Sequence, residues 1–235
     1  MSPASPAARA EHSVTSDLSM TIEAWSGFLA MAATVAFAVT AVLAIKSDKE
    51  VDLFAATVLG LITAIGGGTI RDVILDAPVF WAADLSYIWV ACVASVLAFY
   101  GRKFFSDRYV YAVMLYVDGF GAAMFGIQGA GKVWDLGFGL PVAPVILGIV
   151  TAIGGGLIRD VLAGRTTLLM KPELYAVPVC IGCVAYVFVL EFWPEQRLAG
   201  SIVCILVTFA LRAAAIRWNL SVPGFARLTA DEKSE

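Results

Sequence analysis

Thr63-Ala64-Ile65-Gly66-Gly67-Gly68-Thr69-Ile70-Arg71-Asp72-Val73 occurs a second time, as Thr151-Ala152-Ile153-Gly154-Gly155-Gly156-Leu157-Ile158-Arg159-Asp160-Val161. Ten of the eleven positions are identical, at a constant offset of 88 residues, and both copies lie inside strongly apolar stretches. A glycine triplet is a poor helix former, because each glycine gives up backbone entropy to become helical. Arginine and aspartate are costly in hydrocarbon. A chain that carries both features in a membrane segment, twice, is expected to build a polar site there. Interrupted helices at matching positions of two halves point to the substrate or ion path of a membrane transport protein.

The composition agrees with a membrane location. Of 235 residues, 60% are hydrophobic and 15% charged, against about 45–50% and about 25% in soluble domains. The net charge of −3 and the lack of a basic cluster give no sign of nucleic acid as a partner. Lipid is the expected surrounding. Residues 1–21 read as a disordered, Ala/Ser/Pro-rich tail. It lacks the basic start and short apolar core of a cleaved signal.

A spanning helix needs about 20 mostly apolar residues. Seven stretches qualify: Trp25–Ile45, Leu53–Leu75, Leu85–Tyr100, Tyr109–Gly131, Val142–Leu162, Leu174–Phe192 and Leu198–Trp218. Short polar or Pro-containing connections separate them. Lys46, Lys49, Arg102, Lys103, Arg108, Arg165, Lys171, Arg217, Arg227 and Lys233 fall on one side, and Arg9, Lys132 and Arg197 on the other. The positive-inside rule then puts the N-terminus outside and the C-terminus in the cytoplasm.

The offset of 88 extends beyond the phrase: Phe37 aligns with Phe125, Thr40 with Gln128, Tyr87 with Tyr175 and Cys92 with Cys180. The repeat is therefore a three-helix unit, 22–106 and 107–193, followed by a seventh helix at 194–218 and a cytoplasmic tail at 219–235. Three is odd, so the units run in opposite directions across the membrane, as an inverted-topology repeat.

Breaks at Gly66–Gly68 and Gly154–Gly156 would free carbonyls of Gly66, Gly67, Gly154 and Gly155, which suit a desolvated alkali cation. Asp72 and Asp160 would then fall in the first turn of the second half-helix, where the dipole stabilises a carboxylate. The alternative is that the glycines permit a tight crossing of spans 2 and 5, locked by Arg and Asp. Adjacent helical residues point about 100° apart, so Arg71 and Asp72 need not pair with each other, and the candidate partners of Arg71 are Asp160, Asp72 and Asp118. Asp118 lies roughly 13 Å into span 4 at helical rise, and its repeat partner is Ala30. Thr34, Thr40, Thr63, Thr151 and Gln128 could continue a polar path.

Other chemistry is poorly supported. The phrase has neither Rossmann nor P-loop spacing. Cys180-x-x-Cys183 lies in an apolar segment with no nearby histidine, and the one histidine, His12, is in the tail. No nucleophile–base pair or metal cluster is visible, so no enzyme and no bound cofactor is expected.

The seven spans, the repeat and the doubled Gly-Gly-Gly-x-Ile-Arg-Asp-Val phrase resemble the prokaryotic branch of the trimeric intracellular cation (TRIC) channels, over about residues 22–218. The resemblance implies a homotrimer of the bacterial plasma membrane. It implies a pore for potassium and sodium in each subunit, between repeats whose second and fifth helices kink at the glycines. Arg71, Asp72, Arg159 and Asp160 would flank that pore. Some bacterial relatives have been associated with glycine uptake, so a secondary transporter of a small amino acid is the competing reading. The short, mixed-charge tail departs from the lysine-rich tails of animal members.

Overall fold

Asp52 starts the second long helix: its carboxylate accepts the Ala55 N–H at 2.7 Å, which satisfies a donor that the helix cannot pair itself. A computed structural model describes residues 6–45, 50–104, 106–171 and 174–221, with side chains from residue 20 onward. Eight α-helices follow in order: α1 (Pro6–Ala44), α2 (Leu53–Ile74), α3 (Phe80–Ala83), α4 (Ser86–Arg102), α5 (Asp107–Asp135), α6 (Val142–Leu162), α7 (Ala176–Phe192) and α8 (Arg197–Trp218). Short 3-10 turns at Leu168–Met170 and Pro194–Gln196 precede α7 and α8.

Among the described residues, five helical stretches are long and apolar enough to cross a membrane: Met20–Ala44, Leu53–Ile74, Asp107–Asp135, Val142–Leu162 and Pro194–Trp218. At the third and sixth expected spans stand α4 and α7, apolar helices of 17 residues each. That is about 25 Å of helix, the lower end of a spanning length.

The expected disordered tail is corrected in part, because helix α1 begins at Pro6 and runs unbroken into the first apolar stretch. Proline is favoured at the first helical position, and the Ala-Ala-Arg-Ala-Glu run that follows is rich in helix formers. Residues 1–5, the side chains of Arg9 and His12, the loop cations Lys46 and Lys49, and residues 222–235 with Arg227 and Lys233 lie outside the described residues.

Outward faces of α4, α7 and α8 present Trp89, Val93, Leu97, Val184, Phe188 and Leu206, all exposed. The interior is built from small residues, with Ala33, Ala38, Ala64, Ala91 and Ala152 fully buried. Close backbone approach is how helices associate where lipid removes the hydrophobic incentive. Helices α1 and α5 meet in this core, and Phe37 stacks on Phe125 with ring centroids 5.6 Å apart. Cys183 and Cys204 are buried there too, and all four cysteines are free.

Helices α2 and α6 end alike. Asp76 and Gly164, 88 residues apart, both take left-handed backbone at φ 51 and 64. At each end the next amide reaches back into the last turn, Ala77 N–H to the Asp72 carbonyl at 3.0 Å and Arg165 N–H to the Asp160 carbonyl at 2.8 Å. This is the Schellman closure, which favours glycine. Gly164→Ala is expected to cost about 1 kcal/mol, and Asp76→Gly to be neutral or stabilising by a similar amount. Paired thermal melts of the detergent-purified variants check both signs.

Candidate functional site

Two charged clusters flank a close crossing of α2 and α6. At the crossing, Gly67 faces the Thr151 carbonyl and Gly155 faces the Thr63 carbonyl, so that a Cβ on either glycine would overlap that oxygen. Each contact is the other shifted by 88 residues at both ends. Helical structure continues through both triplets. The interruption expected from the sequence is therefore absent, and the carbonyls of Gly66, Gly67, Gly154 and Gly155 are not released by a broken helix. An apolar surrounding makes an unpaired peptide group more costly than helical glycine. Here the triplets serve close approach.

Asp72 and Asp160 consequently sit in the last turns of α2 and α6, at the negative end of the dipole rather than the positive end. Other partners hold them. Arg71 Nε lies 2.8 Å from Asp72 Oδ1, and Arg159 Nε 2.9 Å from Asp160 Oδ1. The second carboxylate oxygens accept the amides of Phe80 at 3.0 Å and Leu168 at 2.9 Å, again 88 residues apart. Each aspartate thus clamps the loop that follows its helix.

Of the partners named for Arg71, it meets Asp72 and not Asp160 or Asp118, because its long side chain folds back along the helix. Each arginine reaches across to a neutral side chain of the other half. Arg71 Nη1 donates to Gln128 Oε1 at 2.9 Å, and Arg159 Nη1 to Thr40 Oγ1 at 3.0 Å. Thr40 and Gln128 are the repeat equivalents noted in the sequence.

Two residues break this symmetry. Asp118, on α5, lies 2.5 Å from Arg159 Nη1, with both side chains fully buried. Lys132, also on α5, lies 2.8 Å from Asp72 Oδ1. In the ion pairs themselves, Arg71 and Lys132 share one acid, whereas Arg159 is shared by two acids. On the second side the Arg212 guanidinium stacks 4.9 Å from the Tyr175 ring, and Arg212 Nη1 donates to the Leu174 carbonyl at 3.0 Å. Asp118 Oδ2 and Arg159 Nη2 are buried without a hydrogen-bond partner among the described residues, and the buried Tyr175 hydroxyl lies beside Asp118. The Tyr175 hydroxyl and Asp118 Oδ1 both lie within 3.5 Å of where a Cβ on Gly156 would stand.

Thr34, Thr63 and Thr151 are buried, with hydroxyls turned to their own helix at the carbonyls of Ala30, Leu59 and Leu147. Thr40 likewise bonds the Phe37 carbonyl at 2.9 Å, while it accepts from Arg159. Sequence reasoning missed Lys132, which it placed in a loop, although the residue is one helical turn beyond Gln128. It also passed over Arg212, an arginine inside an apolar span, and the pairing of Tyr87 with Tyr175 as site residues.

The family model described as "Glycine transporter" matches the chain twice, at residues 28–103 and 115–191. The UPF0126 inner membrane protein YadS of Escherichia coli is 37% identical over 201 residues, 85% of this chain and 95% of that protein. A solved TRIC trimeric intracellular cation channel orthologue from Rhodobacter sphaeroides superposes with a TM-score of 0.77 at 31% identity, covering 83% of this chain and 98% of that one. The chain belongs to the prokaryotic TRIC family. A second TRIC cation channel structure gives a TM-score of 0.74 at 29% identity, over 87% of this chain and 98% of that one. This TRIC-family chain is accordingly a membrane protein whose fold is that of known cation channels.

Proposed function

We propose that the chain conducts monovalent cations, potassium and sodium, through a path inside each subunit between its two halves. The observation that carries this reading is the fully buried Asp118 carboxylate, whose Oδ2 has no hydrogen-bond partner among the described residues, beside the Tyr175 hydroxyl near the α2–α6 crossing. Desolvated cations are held by such oxygens, and intramembrane carboxylates mark ion paths. Tight packing of Gly67 against Gly155 acts as the closed constriction. Parting of the two helices at the glycine triplets, where they can bend, opens it. Seven spans in an inverted three-plus-three arrangement, an external N-terminus, a cytoplasmic C-terminus and a homotrimeric assembly complete the reading. The loop charges support the orientation, and the solved TRIC relatives support the trimer.

Planar bilayers with purified protein under a potassium chloride gradient test the proposal. Unitary currents should reverse near the potassium potential, and Asp118→Glu, which keeps the charge but moves the oxygens, should change their amplitude or selectivity. Silent bilayers from folded, inserted protein would overturn it. The second reading, transport of a small amino acid, is favoured by the glycine-transporter model that matches both halves. Saturable glycine uptake into liposomes would then be its signature.

A further inference from the structure

Asp118 and Ala30 occupy the same place in the two halves, 88 residues apart, yet only one carries a charge. Around Arg159 the place is filled by the Asp118 carboxylate. Around Arg71 it is filled by the methyl of Ala30, and a cavity of about 70 Å³ stands there, lined by Ser26, Ala30, Arg71, Phe80, Tyr87 and Gln128 among others. One water needs roughly 10–15 Å³ on this scale, so the space suits about five heavy atoms.

The chemistry of the lining is that of half an ion pair. Arg71 is 1% exposed. Its Nε donates to Asp72 and its Nη1 to Gln128, and no hydrogen bond donated by Nη2 is found among the described residues. Asp72 Oδ1 is shared between Arg71 and Lys132, each at 2.8 Å, so its single charge serves two cations. A buried charge left short of a counter-charge is costly, and guanidinium geometry matches a carboxylate. We propose that this cavity binds the carboxylate of a small solute, no larger than glycine, on Arg71, in the place that Asp118 fills for Arg159. The solute supplies from solution the charge that the first half lacks. Ser26 and Gln128 both line the cavity, and although Ser26 Oγ and Gln128 Oε1 each accept one hydrogen bond already, each has a second lone pair for an ammonium group if the solute is an amino acid.

Binding is read in detergent solution, so it stands or falls apart from conduction. Sodium acetate and glycine are titrated into the purified protein in a gluconate buffer, whose anion is too large for the cavity, by calorimetry and thermal melting. One saturable site per chain is expected for at least one probe. Arg71→Gln should weaken it at least tenfold. Ala30→Asp should abolish it and, without any ligand, should melt above the native protein. Ala30→Leu fills the cavity without a charge and should also abolish binding, which keeps the test decisive if the aspartate variant misfolds. Acetate alone would identify a monocarboxylate site, and glycine with acetate an amino-acid site. The proposal is overturned if folded native protein binds neither probe, if both Ala30 variants bind as the native protein does, or if chloride binds as tightly as acetate.

Discussion

Alanine at Gly67 or Gly155 should lower the melting temperature and the yield of folded protein, whereas alanine at Gly154 should be tolerated. The difference lies in what each new methyl meets. At Gly67 and Gly155 it overlaps the carbonyl oxygens of Thr151 and Thr63, which are backbone atoms within intact helices. Neither can turn aside, so α2 and α6 must separate. Overpacking of this kind costs about 1–3 kcal/mol or more, against about 1 kcal/mol gained in helix propensity. At Gly154 the nearest atoms are Gly67 Cα at 3.3 Å and Ile70 Cδ1 at 3.6 Å, and at Gly66 the nearest is Ile158 Cδ1 at 2.8 Å, the end of a flexible side chain. There the propensity gain should offset most of the crowding. Thermal melts and size-exclusion profiles of the four single variants measure the contrast. A Gly67→Ala protein that melts at or above the native temperature would refute the crossing.

The doubled phrase made the polar site legible before any geometry, because two glycine triplets and two arginine–aspartate pairs in apolar segments have few uses. Helix positions were legible as well. The state of the triplets was not. Glycine propensity argues for a break, but helical hydrogen bonds dominate where no water replaces them, and the crossing of α2 with α6 uses the missing side chains. Which of Asp160, Asp72 and Asp118 meets Arg71 was not decided either, since the angle between neighbours says nothing of how a flexible four-bond stem folds back. Asp76 and Gly164 differ in residue type at one repeat position. Both fill one left-handed position, which aspartate tolerates. Lys132 and Arg212 take their meaning from partners 60 and 37 residues away, Asp72 and Tyr175. Periodicity cannot reveal such partners.

Asp118→Asn is expected to be the most damaging of the charge-removing changes. Arg159 is fully buried, with Nη1 on Asp118 at 2.5 Å and Nε on Asp160 at 2.9 Å. Loss of the Asp118 charge leaves that guanidinium with one acid, whose other oxygen is committed to the Leu168 amide. Breaking a buried pair from one side costs about 3–5 kcal/mol. Arg159→Gln should do comparable harm, because it strands two carboxylates together. The double variant should then lose clearly less than the sum of the singles, by about 1–3 kcal/mol of coupling. Lys132→Met gives the comparison: its side chain is 26% exposed, and Asp72 keeps Arg71 when the lysine is gone. About 1 kcal/mol is expected there. Salt separates the two cases further, since screening reaches the partly exposed lysine and not the enclosed pair. Melting the four proteins and the native chain at low and at 1 M potassium chloride reads all of this at once. Additive losses at Asp118 and Arg159, or a coupling that salt removes, would mean that the two side chains touch without depending on each other, and Asp118 would then be free to serve the ion path alone.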